Sequence, residues 1–136
     1  NGITDIKATI AHLRDEGRGK VGAVGYCLGG LMAYLTAART DVDASVGYYG
    51  VGIDNYLAEA ANVSRPLFLH IAEEDGFVSK ESQQKMAEGL TGSNFTLRTY
   101  PGRDHAFARE GGEHYHADDA KLANTRTLDF FATYLK

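Results

Sequence analysis

One cysteine in 136 residues leaves no partner for an internal disulfide, which suits a reducing compartment such as the cytoplasm. Charge of a single sign is also missing as a block. The 14 basic and 18 acidic residues, net −4, are mixed along the chain, which argues against a nucleic-acid or membrane-surface partner. No apolar run approaches the ~20 residues that cross a bilayer, and no signal peptide opens the sequence. A G-x-G-x-x-G fingerprint and a P-loop are absent, so no organic cofactor is implied. There is no internal repeat and no low-complexity linker, and the length suits one domain over residues 1–136. The chain starts at Asn1 rather than Met, so processing, trimming or a longer parent is expected.

What is present alternates between strand-like and helix-like segments. Ile6, Ile10 and Leu13 share a helical face, with Thr4 or Asp5 as N-cap and Gly17 just past the end. "KVGAVGY" reads as a buried strand, and "GGLMAYLTAAR" as a helix with Leu28, Met32 and Leu35 at helical spacing. "DASVGYYG", "PLFLHIAEED" and "FTLRTYPG" read as three further strands, the second opened by Pro66. Ser79 can cap a helix running to about Leu90. A last helix from about Ala117 to Leu135 places Ala123, Thr127, Phe130 and Tyr134 on one face. Short apolar strands separated by helices predict an α/β fold, a parallel sheet of about four strands covered by helices in three layers. Ligand sites in such sheets lie beyond the carboxyl ends of the strands.

Three of those ends carry reactive side chains. Gly25-Tyr26-Cys27-Leu28-Gly29 has the G-x-C-x-G form of a nucleophile elbow between strand and helix, with sulfur as the nucleophile. Side chains at its flanks would collide with crossing backbone. The helix N-terminus favours a thiolate, and the Leu28 N–H is a candidate oxyanion donor. A small buried cysteine in a tight turn is the plainer alternative. After the third strand, "AEEDGFVS" offers Asp75 as an acid, with Glu73 and Glu74 as rivals and an Asx turn as the plainer reading. After the fourth, "YPGRDHAFAR" offers His105 as a base, in a loop where a solvated surface histidine is the usual finding. The order nucleophile, acid, base is that of the α/β-hydrolases.

"GYCLGG", "EEDGFVS" and "GRDHAFAR" together resemble the dienelactone hydrolase family over nearly the whole chain. The resemblance implies a truncated α/β-hydrolase fold and cysteine-dependent hydrolysis of a small ester or lactone, often one carrying a carboxylate. Cys27, His105 and Asp75 would form the triad, with Arg109 of "HAFAR" binding the substrate carboxylate. Tyr26 and Phe77 are further candidates for substrate contact. Tyr48 and Tyr49 suit either an acyl pocket or plain core. Family members are about twice as long, so the match reads as their C-terminal half. A second oxyanion donor, a carboxylate that helps activate the thiol and another arginine then have no counterpart here.

A broader carboxylesterase or thioesterase, and a catalytically silent binding or assembly domain, are the rival readings. "KVGAVGY" would be a sheet edge, with no proline and with Lys20 as its one charge, which predicts a homodimer or a companion chain that supplies strands. Glu113-His114-Tyr115-His116 contains ligand types but reads as a solvated loop, so no metal is expected. His70 reads as a core histidine and His12 as a surface one.

Overall fold

The computed structural model describes residues 2–17 and 19–136. Helix α1 (Gly2–Asp15) leads to strand β1 (Gly22–Tyr26), helix α2 (Leu28–Arg39) and strand β2 (Ala44–Tyr48). A 3-10 segment (Ile53–Asn62), strand β3 (Leu67–Ala72), helix α3 (Lys80–Gly89), strand β4 (Phe95–Tyr100) and helix α4 (Ala117–Tyr134) follow. The four strands form one sheet in the order β1-β2-β3-β4, and every pair is parallel. This is the parallel α/β sheet expected from the alternating segments. No helix among the described residues is long and apolar enough to cross a membrane.

Alternation along the strands sorts the core into two faces. Leu67, Leu69 and Ile71 of β3 pack with Tyr34, Leu35 and Ala37 of α2 and Met86 of α3. Phe68 of β3, with Ala44, Val46 and Tyr48 of β2, packs with Ala123 and Phe130 of α4. A third cluster of Ile10, Val21 and Val42 seats α1, with Ile6 and Leu13 beside it, as the helical face required.

Several boundaries differ from the sequence reading, each for a local reason. Helix α1 starts at Gly2, ahead of the proposed caps, and Gly17 N–H closes its end on Arg14 O at 3.0 Å. Helix α2 is buried almost all round from Ala33 to Ala38, while Leu28 is 67% exposed at its first turn, so the Leu28–Met32–Leu35 stripe is not the buried face. Tyr134 is likewise exposed at the end of α4, beyond the reach of the sheet. The 3-10 segment carried no recognisable period, because Tyr56 breaks it with non-helical angles. Ser79 caps α3 as expected, its Oγ accepting from Ser82 N at 3.0 Å.

Two buried polar groups hold the layers together. Asp43 accepts from Val21 N at 2.8 Å, Arg14 Nη1 at 3.0 Å and Arg65 Nη1 at 3.0 Å, tying α1, β1 and the β3 approach to one carboxylate. Burial alone would push its carboxyl up, but these bonds outweigh burial and hold it below the usual range. His70 is buried in β3, with Nδ1 on Tyr100 Oη at 2.7 Å and Nε2 on Thr127 Oγ1 at 2.8 Å. Burial, helped by the Arg126 charge, pulls its pKa down to about 3.

The sign of the resulting pH dependence follows. The unfolded chain takes up the proton near 6.5 and the folded chain only near 3, so stability is full above 6.5 and drains away between the two. Acidification from pH 7 to 5 should therefore cost about 2 kcal/mol through this one residue. Urea midpoints at both pH values test this. His70→Gln should be less stable at pH 7 yet lose less between pH 7 and 5.

Candidate active site

The turn from β1 into α2 is built on missing side chains. A Cβ on Gly25 would lie 1.9 Å from Gly29 O, and one on Gly30 would lie 2.7 Å from Gly50 Cα. Helix and strand backbones can approach this closely only without those atoms. A Cβ on Gly29 would meet nothing within 4 Å. The crowding expected at both motif glycines is thus real at Gly25, open at Gly29, and displaced to Gly30. Between them Cys27 adopts φ 59° and ψ −119°, a left-handed conformation that costs a non-glycine residue about 1–3 kcal/mol. Its N–H donates to Tyr48 O at 3.0 Å, and its carbonyl accepts from Gly30 N at 2.9 Å. The Leu28 N–H, next along, donates to no acceptor among the described residues.

The loops after β3 and β4 bring the other two candidates together. Asp75 is buried, with Oδ2 on His105 Nδ1 at 3.0 Å and Oδ1 accepting from Phe77 N at 2.8 Å. The rival carboxylates are engaged elsewhere: Glu73 accepts from Gly102 N at 3.3 Å, and Glu74 pairs with Lys80 at 3.3 Å. Asp104, which the sequence did not single out, clasps both loops. Its Oδ1 accepts from Gly76 N at 2.9 Å and from His105 N at 2.6 Å, and these two bonds hold its carboxyl below the usual range. Ala106 then turns the chain away with φ 64°, a second strained residue beside the imidazole.

Cys27 lies in a cleft of about 290 Å3 with Tyr26, Tyr49, Ala106, Ala108, Arg109 and Asn124. His105 lines an adjoining cleft with Phe77, Asp104, Glu113 and His114; Ala106 and Arg109 border both. Tyr49 joins the two, its ring 5.2 Å edge-on from the imidazole. Tyr26 and Arg109 therefore stand beside the thiol. Phe77 stands against the outer side of His105 at 4.8 Å, 71% exposed. Tyr48 is core rather than cleft lining, whereas Tyr49 is both. No hydrogen bond joins Cys27 Sγ to His105 among the described residues.

The thiol differs from the thiolate that the helix N-terminus suggested. Burial pushes the Cys27 thiol up, the Asp75 carboxylate adds to that, and Arg109 opposes them. His114 and His116 are spoken for, the first against Asp104 at 3.5 Å and the second accepting from Asp119 N at 3.2 Å as the cap of α4. No group of metal-ligating side chains suited to an ion occurs among the described residues.

The elbow makes a sharp prediction. Gly25→Ala should cost more than about 3 kcal/mol, because its Cβ meets backbone that cannot step aside. Gly29→Ala should stay within about 1 kcal/mol of the parent. Thermal melts of the two variants check the contrast, which a motif-level view of interchangeable glycines does not produce.

Known proteins share both sequence and geometry with this chain. The family model described as "Dienelactone hydrolase family" matches residues 1–135. A carboxymethylenebutenolidase of Pseudomonas putida is 44% identical over 135 residues, covering 96% of this chain and 57% of that protein. An Azospirillum brasilense protein assigned as a carboxymethylenebutenolidase is 50% identical over 109 residues, 79% of this chain and 47% of that one. Among solved structures, a Klebsiella pneumoniae protein assigned to the dienelactone hydrolases superposes with a TM-score of 0.86 at 23% identity, covering 97% of this chain and 60% of that chain. The chain thus spans about half the length of the curated relatives it matches. On the strength of a match that runs from the first residue to the last but one, the chain belongs to the dienelactone hydrolase family.

Proposed function

We propose that this chain carries the reacting groups of a hydrolase that opens small esters or lactones by way of a thioester. The observation that supports it most is the buried Asp75 bonded to His105 at 3.0 Å, in loops next to a strained cysteine elbow. Carboxymethylenebutenolidase names among the relatives point to the same chemistry.

In this reading His105 Nε2 takes the thiol proton as Cys27 Sγ attacks the acyl carbon. The carbonyl oxygen gains the negative charge, and the Leu28 N–H stabilises it. The C–O bond then breaks, His105 returns the proton to the leaving oxygen, and the acyl group remains on sulfur. Water, deprotonated by His105, releases the acid and regenerates the thiol. Asp75 holds Nδ1–H and stabilises the imidazolium. The raised thiol pKa fits a general base better than a standing ion pair. Catalytic hydrogen bonds are often long before substrate arrives, which accommodates the resting separation of thiol and imidazole. The Arg109 guanidinium has no ion-pair partner among the described residues, and it suits a substrate carboxylate. A free thiol of this kind suits the reducing cytoplasm.

Turnover of an aryl ester and of a carboxylated lactone by the native gene product tests the assignment. Cys27→Ala and His105→Ala should each lower kcat on the order of 10⁴-fold or more, Asp75→Asn less, and the double variants no further. Full activity in Cys27→Ala overturns the reading. Arg109→Ala should impair the carboxylated substrate by about 1.5–3 kcal/mol more than the neutral one.

The same proposal extends to assembly. Strand β1 is an outer strand of the four, with Val24 48% and Tyr26 49% exposed, and an edge of that kind recruits another strand. A second copy or a companion chain would supply it. Light scattering at micromolar concentration should find this 14.7 kDa chain in a heavier species, and a stable monomer counts against the pairing.

A further inference from the structure

Helix α4 contributes one side chain to the thiol cleft, and that side chain terminates a buried hydrogen-bond chain. Arg126 Nη1 donates to Tyr100 Oη at 3.2 Å; Tyr100 Oη meets His70 Nδ1 at 2.7 Å; His70 Nε2 meets Thr127 Oγ1 at 2.8 Å. Thr127 Oγ1 meets Tyr48 Oη at 2.7 Å, and Tyr48 Oη donates to Asn124 Oδ1 at 2.7 Å. Each hydroxyl has one proton, neutral imidazole has one N–H, and guanidinium can only donate. Tyr48 gives its one proton to Asn124 Oδ1, and that sets the direction of every link back towards Arg126. Tyr100 gives its proton to Nδ1, His70 carries its own on Nε2, Thr127 donates to Tyr48, and Tyr48 donates to the amide oxygen.

The amide of Asn124 consequently has its oxygen committed to the core. Its Nδ2 makes no hydrogen bond among the described residues, although Asn124 lines the cleft beside Cys27, Tyr26 and Arg109. Two donor groups without protein acceptors, one guanidinium and one amide NH2, thus border the same small cleft as the thiol. We propose that Asn124 is a specificity-determining residue: its Nδ2 donates to a carboxylate oxygen of the acyl substrate alongside Arg109. The Tyr48 hydroxyl, backed by Thr127 and His70, is the positioning group that holds the amide that way. The proposal rests on the esterase or lactonase reading above and adds the recognition group. A neutral ester lacks the second acceptor and gains little from Asn124.

Asn124→Asp keeps the shape and the Tyr48 bond but replaces the donor with a like charge. In the native gene product it should raise KM for a carboxylated lactone at least tenfold more than it raises KM for the neutral aryl ester. Tyr48→Phe, which frees the amide to turn, should raise the same KM severalfold more than that for the neutral ester. Equal losses on both substrates, or none on either, overturn the proposal. Calorimetric binding of succinate provides a readout that needs no turnover. The parent should bind it, and Asn124→Asp should bind at least tenfold more weakly at unchanged melting temperature. Parent and variant binding alike, or a parent that does not bind, also overturns it. Loss of the hydrolase reading itself would appear separately, as activity that survives Cys27→Ala.

Discussion

Everything at the site depends on backbone touching backbone where α2 meets the sheet. Gly25 lies under the Gly29 carbonyl, and Gly30 lies on Tyr48 O and Gly50, so the helix starts nearly in van der Waals contact with β1 and β2. That contact leaves one residue to reverse the chain, and Cys27 absorbs the strain at φ 59°. Strain of this size persists only where its surroundings over-determine it. Here they do, through bonds from Cys27 to Tyr48 and from Gly30 back to Cys27. The thiol's place at the mouth of the sheet follows from the packing of two elements, not from contacts that the thiol itself makes.

The sheet and its helices were legible in the sequence because parallel strands buried on both faces read as short apolar runs between helical segments. The placement of Cys27, Asp75 and His105 beyond the ends of strands was legible for the same reason, since each follows such a run. The 3-10 segment was not, because neither period fits a turn broken at Tyr56. Asp104 and Asn124 escaped for a different reason. Their importance comes from residues distant in the chain, Gly76 for one and Tyr48 for the other, and no local pattern records such partners. The helix terminus beside Cys27 is a local signal, whereas burial and the Asp75 charge, which push the thiol up, arise only in the fold. Gly29 and Gly30 look alike in the sequence, and only the position of Gly50 separates them.

Polar groups in the interior show a division of labour. Asp43 collects three donors and binds α1 to the sheet edge, so its carboxylate is satisfied on both oxygens. Burial pulls the pKa of His70 far down, and both its ring nitrogens are bonded, one to Tyr100 and one to Thr127. A fully paired network of this kind costs less to bury than its members would singly, and it specifies one arrangement of β2, β3, β4 and α4.

Asp104 pins the loops after β3 and β4 to each other. Its Oδ1 holds the backbone of Gly76 and of His105, so the spacing of the two loops does not depend on the bond between Asp75 and the imidazole. The ring can then change charge, or pivot about its own side-chain bonds, while its anchorage stays still. The range of movement at the imidazole is then set by its own side-chain torsions and not by motion of the loop that carries it.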